Sequence, residues 1–540
     1  MKYFKLFKIL SLVLLVGCLA YFLLLNNHQA DIPNFANNSN STVWWNDDFA
    51  FRKSFYVNDL NKIAIKINHA DLTISGYSQT EGDDLQVVFW DGKEHQRIET
   101  TIINPFSNNT LIEFLPIEKG EYYLYFGNKS YIQDNKPENN QITDNIIELN
   151  LENFEHLDFS VTSKKNWILY DSLDNFFYID ILFEPNLDKE KQYYLYDNET
   201  KEAIEIEKNL NLLKVPLDKI YPGQKYFSIL AYFDDKVVRS NNFRINISYP
   251  LFVAWTVNWE GTDPGSENQS LVDKISKNYS LPVTHFFNPR VLIKNDITEA
   301  RKIDIVNWLI ERREKQKDEV ALHLHMHHDM LLNAGVKTIE NVETWNGDLR
   351  GYDTPPTVYS YEDFKKLLAW SLDLLNSYNL NQVNGFRSGG WFANEEILRA
   401  VEDSGFKYDS SSITPFEIGK NKFIQDWNIN PTSQPYFPSY TNKNLKNGDM
   451  KLMEIPTNGG ESLYSPPEKL IENFYQNYSP NTTLNSSNII VFASNIDWFY
   501  QEEPKINILF EEIQKYRYEL DRGPVCFVTI QEYLTQTQSL

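Results

Sequence analysis

The sequence predicts an α/β fold over residues 249–540, two all-β modules before it, and an apolar helix at its start. Three observations predict this. After Pro250, short apolar strands alternate with helical stripes to the end of the chain. From about 45 to 248, β-branched and aromatic runs follow one another with no long helical period. Ahead of both, Lys2, Lys5 and Lys8 precede an almost uninterrupted apolar run from Ile9 to Leu25. Repeated β-α units imply a parallel sheet, most simply a (β/α) barrel, in which the C-terminal strand ends meet at one face.

Size and charge bound the function. At 540 residues the chain is too long for one core, given about 100–200 residues per domain. Lys and Arg number 51 against 74 Asp and Glu, a net charge of −23. Such a surface repels phosphate backbones, so nucleic acid is excluded as a partner. Two cysteines, Cys18 and Cys526, allow neither a disulfide scaffold nor a cysteine zinc site. Aromatics make up 14% of the chain; most serve cores and strands, and the same side chains suit sugar-stacking surfaces.

Residues 1–26 read as a membrane device. The apolar run lies at the short end of the roughly 17–25 residues a spanning helix needs. Lysines before it and none just after orient the N-terminus to the cytoplasm and the rest outside, as a single-pass protein of the cell membrane. A cleaved signal and a lipoprotein signal ending at Leu15-Val16-Gly17-Cys18 are the competing readings; all three export the remainder. Residues 27–44, with Asn37-Asn38-Ser39-Asn40-Ser41, read as a polar stalk. Residues 45–156 and 157–248 read as two β-sandwich (immunoglobulin-like) modules, from alternation such as Lys62-Ile63-Ala64-Ile65-Lys66-Ile67. In the second, Tyr221-Pro222-Gly223 followed by Tyr226 to Ile229 resembles fibronectin-type-III domains. A spacer or a carbohydrate-binding module fits either one.

In 249–540, Leu251 to Val257 reads as a strand. Residues 299–317 form a helix with Ile303, Val306, Leu309 and Ile310 on one stripe. Glu319 to Leu324 is a strand. Ser360 caps a helix, with Asp363 at capping-box spacing. Val383 to Phe386 is a strand, and 394–403 a helix ended by Gly405. Further strands are Leu452–Ile455, Ile489–Phe492 and Val525–Thr529, with a helix near 506–520.

The chemistry concentrates at strand ends. Four of the nine histidines fall in His323-Leu324-His325-Met326-His327-His328. On a strand, His323, His325 and His327 share a face; on a starting helix, His323 and His327 lie one turn apart. Either geometry places two imidazoles on one divalent metal, and without cysteines the third ligand is a carboxylate or water. Val257-Asn258-Trp259-Glu260-Gly261 puts Asn258 and Glu260 on one face after the first strand. Gly385-Phe386-Arg387-Ser388-Gly389-Gly390-Trp391 places an Arg at a strand end, followed by glycines that let backbone approach a ligand.

In this order the pieces resemble the polysaccharide deacetylase (NodB-homology, carbohydrate esterase) family, over about 250–535. The resemblance implies a distorted (β/α) barrel that removes acetyl groups from an acetylated polysaccharide with a divalent metal, most often Zn²⁺. It implies Glu260, His323 and His327 as metal ligands. Asn258 takes the place of the catalytic base and Arg387 orients that position. Gly389, Trp391 and Asp409, the last in Gly405-Phe406-Lys407-Tyr408-Asp409-Ser410-Ser411, fall to the substrate side. Two departures follow. An amide, Asn258, stands where the family has its base, and no histidine follows His328; Ser494 or Asp497 stands near the place of the family's late histidine. His325, His328, Asp263 and Asp329 are the candidates for substitute proton transfer. Losing a positioned base or acid typically costs about 10²–10⁴ in rate. Three functions are therefore expected to compete: a membrane-tethered deacetylase of an envelope or secreted glycan, a catalytically lapsed barrel that binds a glycan, and a related metal-dependent lyase or hydrolase.

Overall fold

The computed structural model describes residues 44–128, 143, 145–151, 154–157, 159–170, 176–184, 191–233, 236–348 and 350–538. Contacts divide the chain after Asn46, and residues 47–540 make up the unit described below. The expected membrane helix and stalk lie outside the described residues. Among those described, no helix is long and apolar enough to cross a membrane. The longest described helices, Glu299–Lys315 and Tyr361–Ser377, carry charges along one face.

The strand-rich region begins with a five-stranded and a four-stranded sheet, built from strands between Phe51 and His156. Phe51, Val57 and Phe126 of the first and Ile65 and Ile112 of the second share one core. The strands that follow do not make a two-sheet sandwich. They form one continuous nine-stranded sheet that curls on itself. Strand Ala203–Asn209 causes this: its first half pairs with Gln192–Asp197 and its second half with Leu212–Pro216, so hydrogen bonding never breaks between the two layers.

The C-terminal sheet is wholly parallel. Its strands are β1 (Leu251–Asn258), β2 (Val283–Phe287), β3 (Glu319–Leu324), β4 (Gly385–Ser388), β5 (Tyr408–Asp409), β6 (Met453–Glu454), β7 (Gly460–Glu461), β8 (Asn488–Asn495) and β9 (Val525–Phe527). The order is β6-β5-β4-β3-β2-β1-β8-β7, with β9 also on β1. The expected distorted (β/α) barrel is corrected to an open, curled half-barrel, because β6 and β7 do not pair among the described residues. Only 455–459 join them, and parallel neighbours need a crossover of about a dozen residues.

Period-two alternation sets the layers. Val253, Trp255 and Val257 of β1, with Val320 and Leu322 of β3, face the helices. Phe252 and Ala254, with Ala321 and Phe286, face inward. These inner residues meet Ile530, Tyr533 and Leu534 of the C-terminal helix, Ile530–Gln538, which fills the lower end. Burial on both faces explains why β1 is apolar nearly throughout and fully buried. Above the apolar floor the inward positions turn polar: Thr256 and Asn258 on β1, His323 on β3, Arg387 on β4.

The helices start where their caps dictate. Thr298 accepts from Arg301 N, Ser360 from Asp363 N, and Asn394 from Ile397 N. The stripe on Glu299–Lys315 differs by one position from its expected form. Ile305 is buried with Val306 and Leu309, whereas Ile303 is 51% exposed.

Candidate metal centre and its cavity

Glu260 lies just past β1, whose direction Trp259 prolongs by donating its N–H to the Phe286 carbonyl at 3.0 Å. Its backbone is held on both sides. The Glu260 N–H donates to Asp497 Oδ2 (3.0 Å), and its carbonyl accepts from His327 Nε2 (3.0 Å). The carboxylate reaches three partners. Oε1 accepts from Asn495 Nδ2, and Oε2 accepts from the Tyr352 hydroxyl at 3.0 Å and lies 2.7 Å from His325 Nε2.

Two imidazoles face this carboxylate, and backbone carbonyls set their direction. His323 Nδ1 lies 2.9 Å from the Arg387 carbonyl, and His325 Nδ1 lies 3.0 Å from that of Tyr352. A carbonyl only accepts, so Nδ1 carries the hydrogen in each ring and Nε2 is left to face the centre. This backing of the second nitrogen is the arrangement metal-ligating histidines use. The ligand atoms of Glu260, His323 and His325 lie within 4.8 Å of one another, all buried. One carboxylate oxygen and two imidazole nitrogens fit a zinc-like divalent cation, with a fourth position left for water or substrate.

The electrostatics agree with a site that exchanges a proton for a cation. Burial raises the Glu260 carboxyl, but His325 and then His323 outweigh it and hold it down to about 2. Burial lowers the His325 imidazole, yet the Glu260 charge and hydrogen bond raise it on balance. Burial brings His323 down to about 3, against the pull of Glu260.

The third expected ligand differs. His327, at the N-terminus of the short helix His328–Asn333, spends Nε2 on the Glu260 carbonyl and lies outside the trio. His325 takes that position. It stacks on Tyr352, with ring centroids 4.3 Å apart and 12° between planes. Gly389 makes room for it: a Cβ there would stand 2.9 Å from the His325 ring and 2.8 Å from the Leu324 carbonyl oxygen.

Arg387 is fully buried and donates to five oxygens: the Ser410 carbonyl, Thr256 Oγ1, Asn258 Oδ1, Ser410 Oγ and Thr457 Oγ1, all at 2.8–3.0 Å. Among the described residues it forms no ion pair. Burial lowers its guanidinium to about 10, against the pull of Glu461 and other acids. Because guanidinium has no acceptor, Asn258 must turn Oδ1 toward it (2.9 Å) and its NH₂ away. Asn258 lines the cavity above, so position 258 offers a donor, not a base.

That cavity, about 390 Å³, has Glu260, His323 and His325 in its floor and Trp345, Trp391, Tyr464 and Trp498 around its walls. Trp391 is held at φ +60°, a region bulky residues seldom occupy, and its buried Nε1 has no hydrogen-bond partner. A second cavity of about 240 Å³ shares Glu260, Tyr352 and Trp498 with the first.

Other expected residues are employed elsewhere. Asp409 is buried below the cavity, accepting from the Ser411 hydroxyl (2.7 Å) and N–H (3.2 Å). Asp263 pairs with Arg301 and Asp329 with Arg290. Ser494 accepts from Trp255 Nε1 (3.0 Å), so at the end of β8 Asn495 is the residue that reaches Glu260. Sequence reasoning missed Tyr352, Asn495, Trp345 and Glu461. Only Asn495 carried a local signal, as the last residue of an apolar strand.

No protein-family model and no curated protein matches the chain. Over about half its length it is similar to solved polysaccharide deacetylases and carbohydrate esterases. One is a family 4 carbohydrate esterase from Streptomyces lividans, at 10% identity and TM-score 0.28, covering 52% of this chain and 92% of that one. A family 4 acetyl xylan esterase from Clostridium thermocellum has 10% identity and TM-score 0.28, covering 53% and 90%. A peptidoglycan deacetylase from Bacillus subtilis has 11% identity and TM-score 0.27, covering 54% and 92%.

Proposed function

We propose that the protein is a metal-dependent hydrolase that removes acetyl groups from an acetylated polysaccharide. The observation that carries this is the Glu260–His323–His325 cluster in the floor of an aromatic-walled cavity. Glu260, His323 and His325 would hold a divalent ion, most simply zinc, which would supply Lewis acidity toward an acetyl carbonyl and toward water. The chain's own residues do the rest. Indole and phenol faces stack on pyranose rings. The Asn258 NH₂ and the Trp391 Nε1–H are donors for the acetyl oxygen or neighbouring hydroxyls. The adjoining cavity, reached past Tyr352 and Trp498, suits a chain-shaped ligand that continues beyond one sugar.

The full chain loaded with zinc, given N- and O-acetylated glycans, is expected to release acetate, and to stop when the metal is chelated. A protein that binds zinc at this site and releases no acetate from any acetylated glycan sinks the reading. Asn258 favours one second reading, a glycan-binding barrel without turnover. It requires glycan binding that survives replacing His323 and His325 together by Ala.

A further inference from the structure

Deacetylation needs a group that takes a proton from water and returns one to the leaving sugar, and Asn258 can do neither. The titratable residues lining the cavity are Glu260, His323, His325, Tyr352, Tyr464 and Glu461. The first three form the cluster. The Tyr352 hydroxyl is committed to Glu260 Oε2. Tyr464 is half exposed, and burial of its phenol together with nearby acids raises it far from neutrality.

Glu461 remains. It sits on β7, in register with Ala493 of β8, and is 3% exposed. Its Oε2 is buried and has no hydrogen-bond partner. An uncompensated carboxyl oxygen beside a cavity is costly to keep unless it has work to do. The nearby acids are occupied. Glu502 accepts from the Asn495 N–H (3.2 Å) and the Ser462 hydroxyl, and Asp497 from the Glu260 N–H and the Thr262 hydroxyl. Burial and then the Glu502 charge raise the Glu461 carboxyl well above the usual range, while Arg387 pulls it down. A raised carboxyl suits proton exchange near neutrality.

We propose that Glu461 is the proton-transfer residue of the deacetylation, filling the role that Asn258 cannot. This rests on the reading in the preceding subsection. As carboxylate, Glu461 takes a proton from water while the water oxygen bonds to the acetyl carbon. As acid, it returns that proton to the sugar nitrogen or oxygen as the bond from that atom to the acetyl carbon breaks. The products are the free sugar amine or hydroxyl and acetic acid, which ionises to acetate.

The test uses the zinc-loaded full chain and an acetylated oligosaccharide that the wild type hydrolyses. Glu461→Gln is expected to lower kcat by about 100-fold or more, with KM and zinc content within about twofold. Glu461→Asp, which keeps a carboxylate, is expected to retain at least about ten times the kcat of Glu461→Gln. The proposal is overturned if Glu461→Gln keeps more than about a third of kcat, if zinc is lost with the activity, or if the Asp and Gln variants are equally inactive. A zinc-bound wild type that releases no acetate overturns the functional reading itself, and this proposal with it.

Discussion

Two buried histidine clusters in this molecule look alike as chemistry and differ as sites. In the first β region His69 is fully buried near Asp84, with Ser78 between them: His69 Nε2 lies 3.0 Å from Ser78 Oγ, whose hydroxyl donates to Asp84 Oδ1 at 2.7 Å. His69 Nδ1 accepts from the Phe106 N–H (3.0 Å), and Asp84 also accepts from the Gln79 and Gly127 N–H groups. Both ring nitrogens and both carboxylate oxygens are spent. In the half-barrel, carbonyls occupy one nitrogen each of His323 and His325, and the other nitrogens converge on Glu260 under a cavity. The comparison teaches that a His/acid cluster becomes a candidate site when its partners leave lone pairs aimed at open space. Burial alone does not do this.

The largest contrast comes from removing one histidine of each cluster. His325→Ala is expected to lose bound zinc and, with it, at least about 10³ in acetate release. His69→Ala should keep both and lose on the order of 2 kcal/mol of stability, since it strands the Phe106 N–H and removes the donor to Ser78 Oγ. Metal analysis, acetate assays and denaturant melts on the two variants decide. Equal zinc content in both would erase the distinction.

His327 sharpens it further. As a support of the Glu260 backbone rather than a ligand, its change to Ala should leave zinc bound and weaken affinity by about tenfold. A competition titration reads this, and complete loss of metal would return His327 to the ligand set.

Asn258→Asp places a carboxylate against the buried Arg387, which has no ion-pair partner among the described residues. Stability should rise by about 1 kcal/mol or less, because the cost of burying the new carboxylate offsets most of the ion pair it makes with a guanidinium that is already hydrogen-bonded. If Glu461 moves the proton, acetate release should change less than about tenfold. A far larger rise would show that position 258 had been the missing base.

The smallest effects are in pH, and the two clusters have opposite signs. His325 is raised in the folded protein by Glu260, against burial. In the metal-free protein its contribution is fully present below its unfolded pKa of about 6.5 and is lost as pH rises through its folded value. His69 is lowered by burial, so its contribution is lost as pH falls below about 6.5. Melting curves between pH 5 and 8, taken as wild type minus His325→Ala and wild type minus His69→Asn, should slope in opposite directions. Zinc should reverse the first slope, because coordination requires a neutral His325.

Much of the half-barrel was legible because its cues are local. Ser360 and Asn394 announce helix starts, and Glu319 to Leu324 is a strand of the expected extent. The open edge was harder to read. β6 falls inside the expected strand Leu452–Ile455, but β5 and β7 are two residues each, too short to leave a periodic signal. The continuous curl of the nine-stranded sheet depends on Ala203–Asn209 choosing two partners along its length, which alternation cannot specify.

By itself the sequence determined that Glu260 follows the first strand's end, that His323, His325 and His327 alternate onto one face of an extended segment, and that Arg387 lies at a strand end. Period two dictates which way a strand residue points, whatever surrounds it. Only the tertiary structure decided which imidazoles converge. Ring direction depends on the carbonyls of Arg387 and Tyr352, and the carboxylate is set by Tyr352 and Asn495, 92 and 235 residues away from Glu260 in sequence. The same holds for Glu461, whose buried, unpartnered oxygen comes to the cavity through pairing of β7 with β8. A hydrogen bond needs its partner within about 3 Å, and which distant residue arrives there is settled by how the chain folds back.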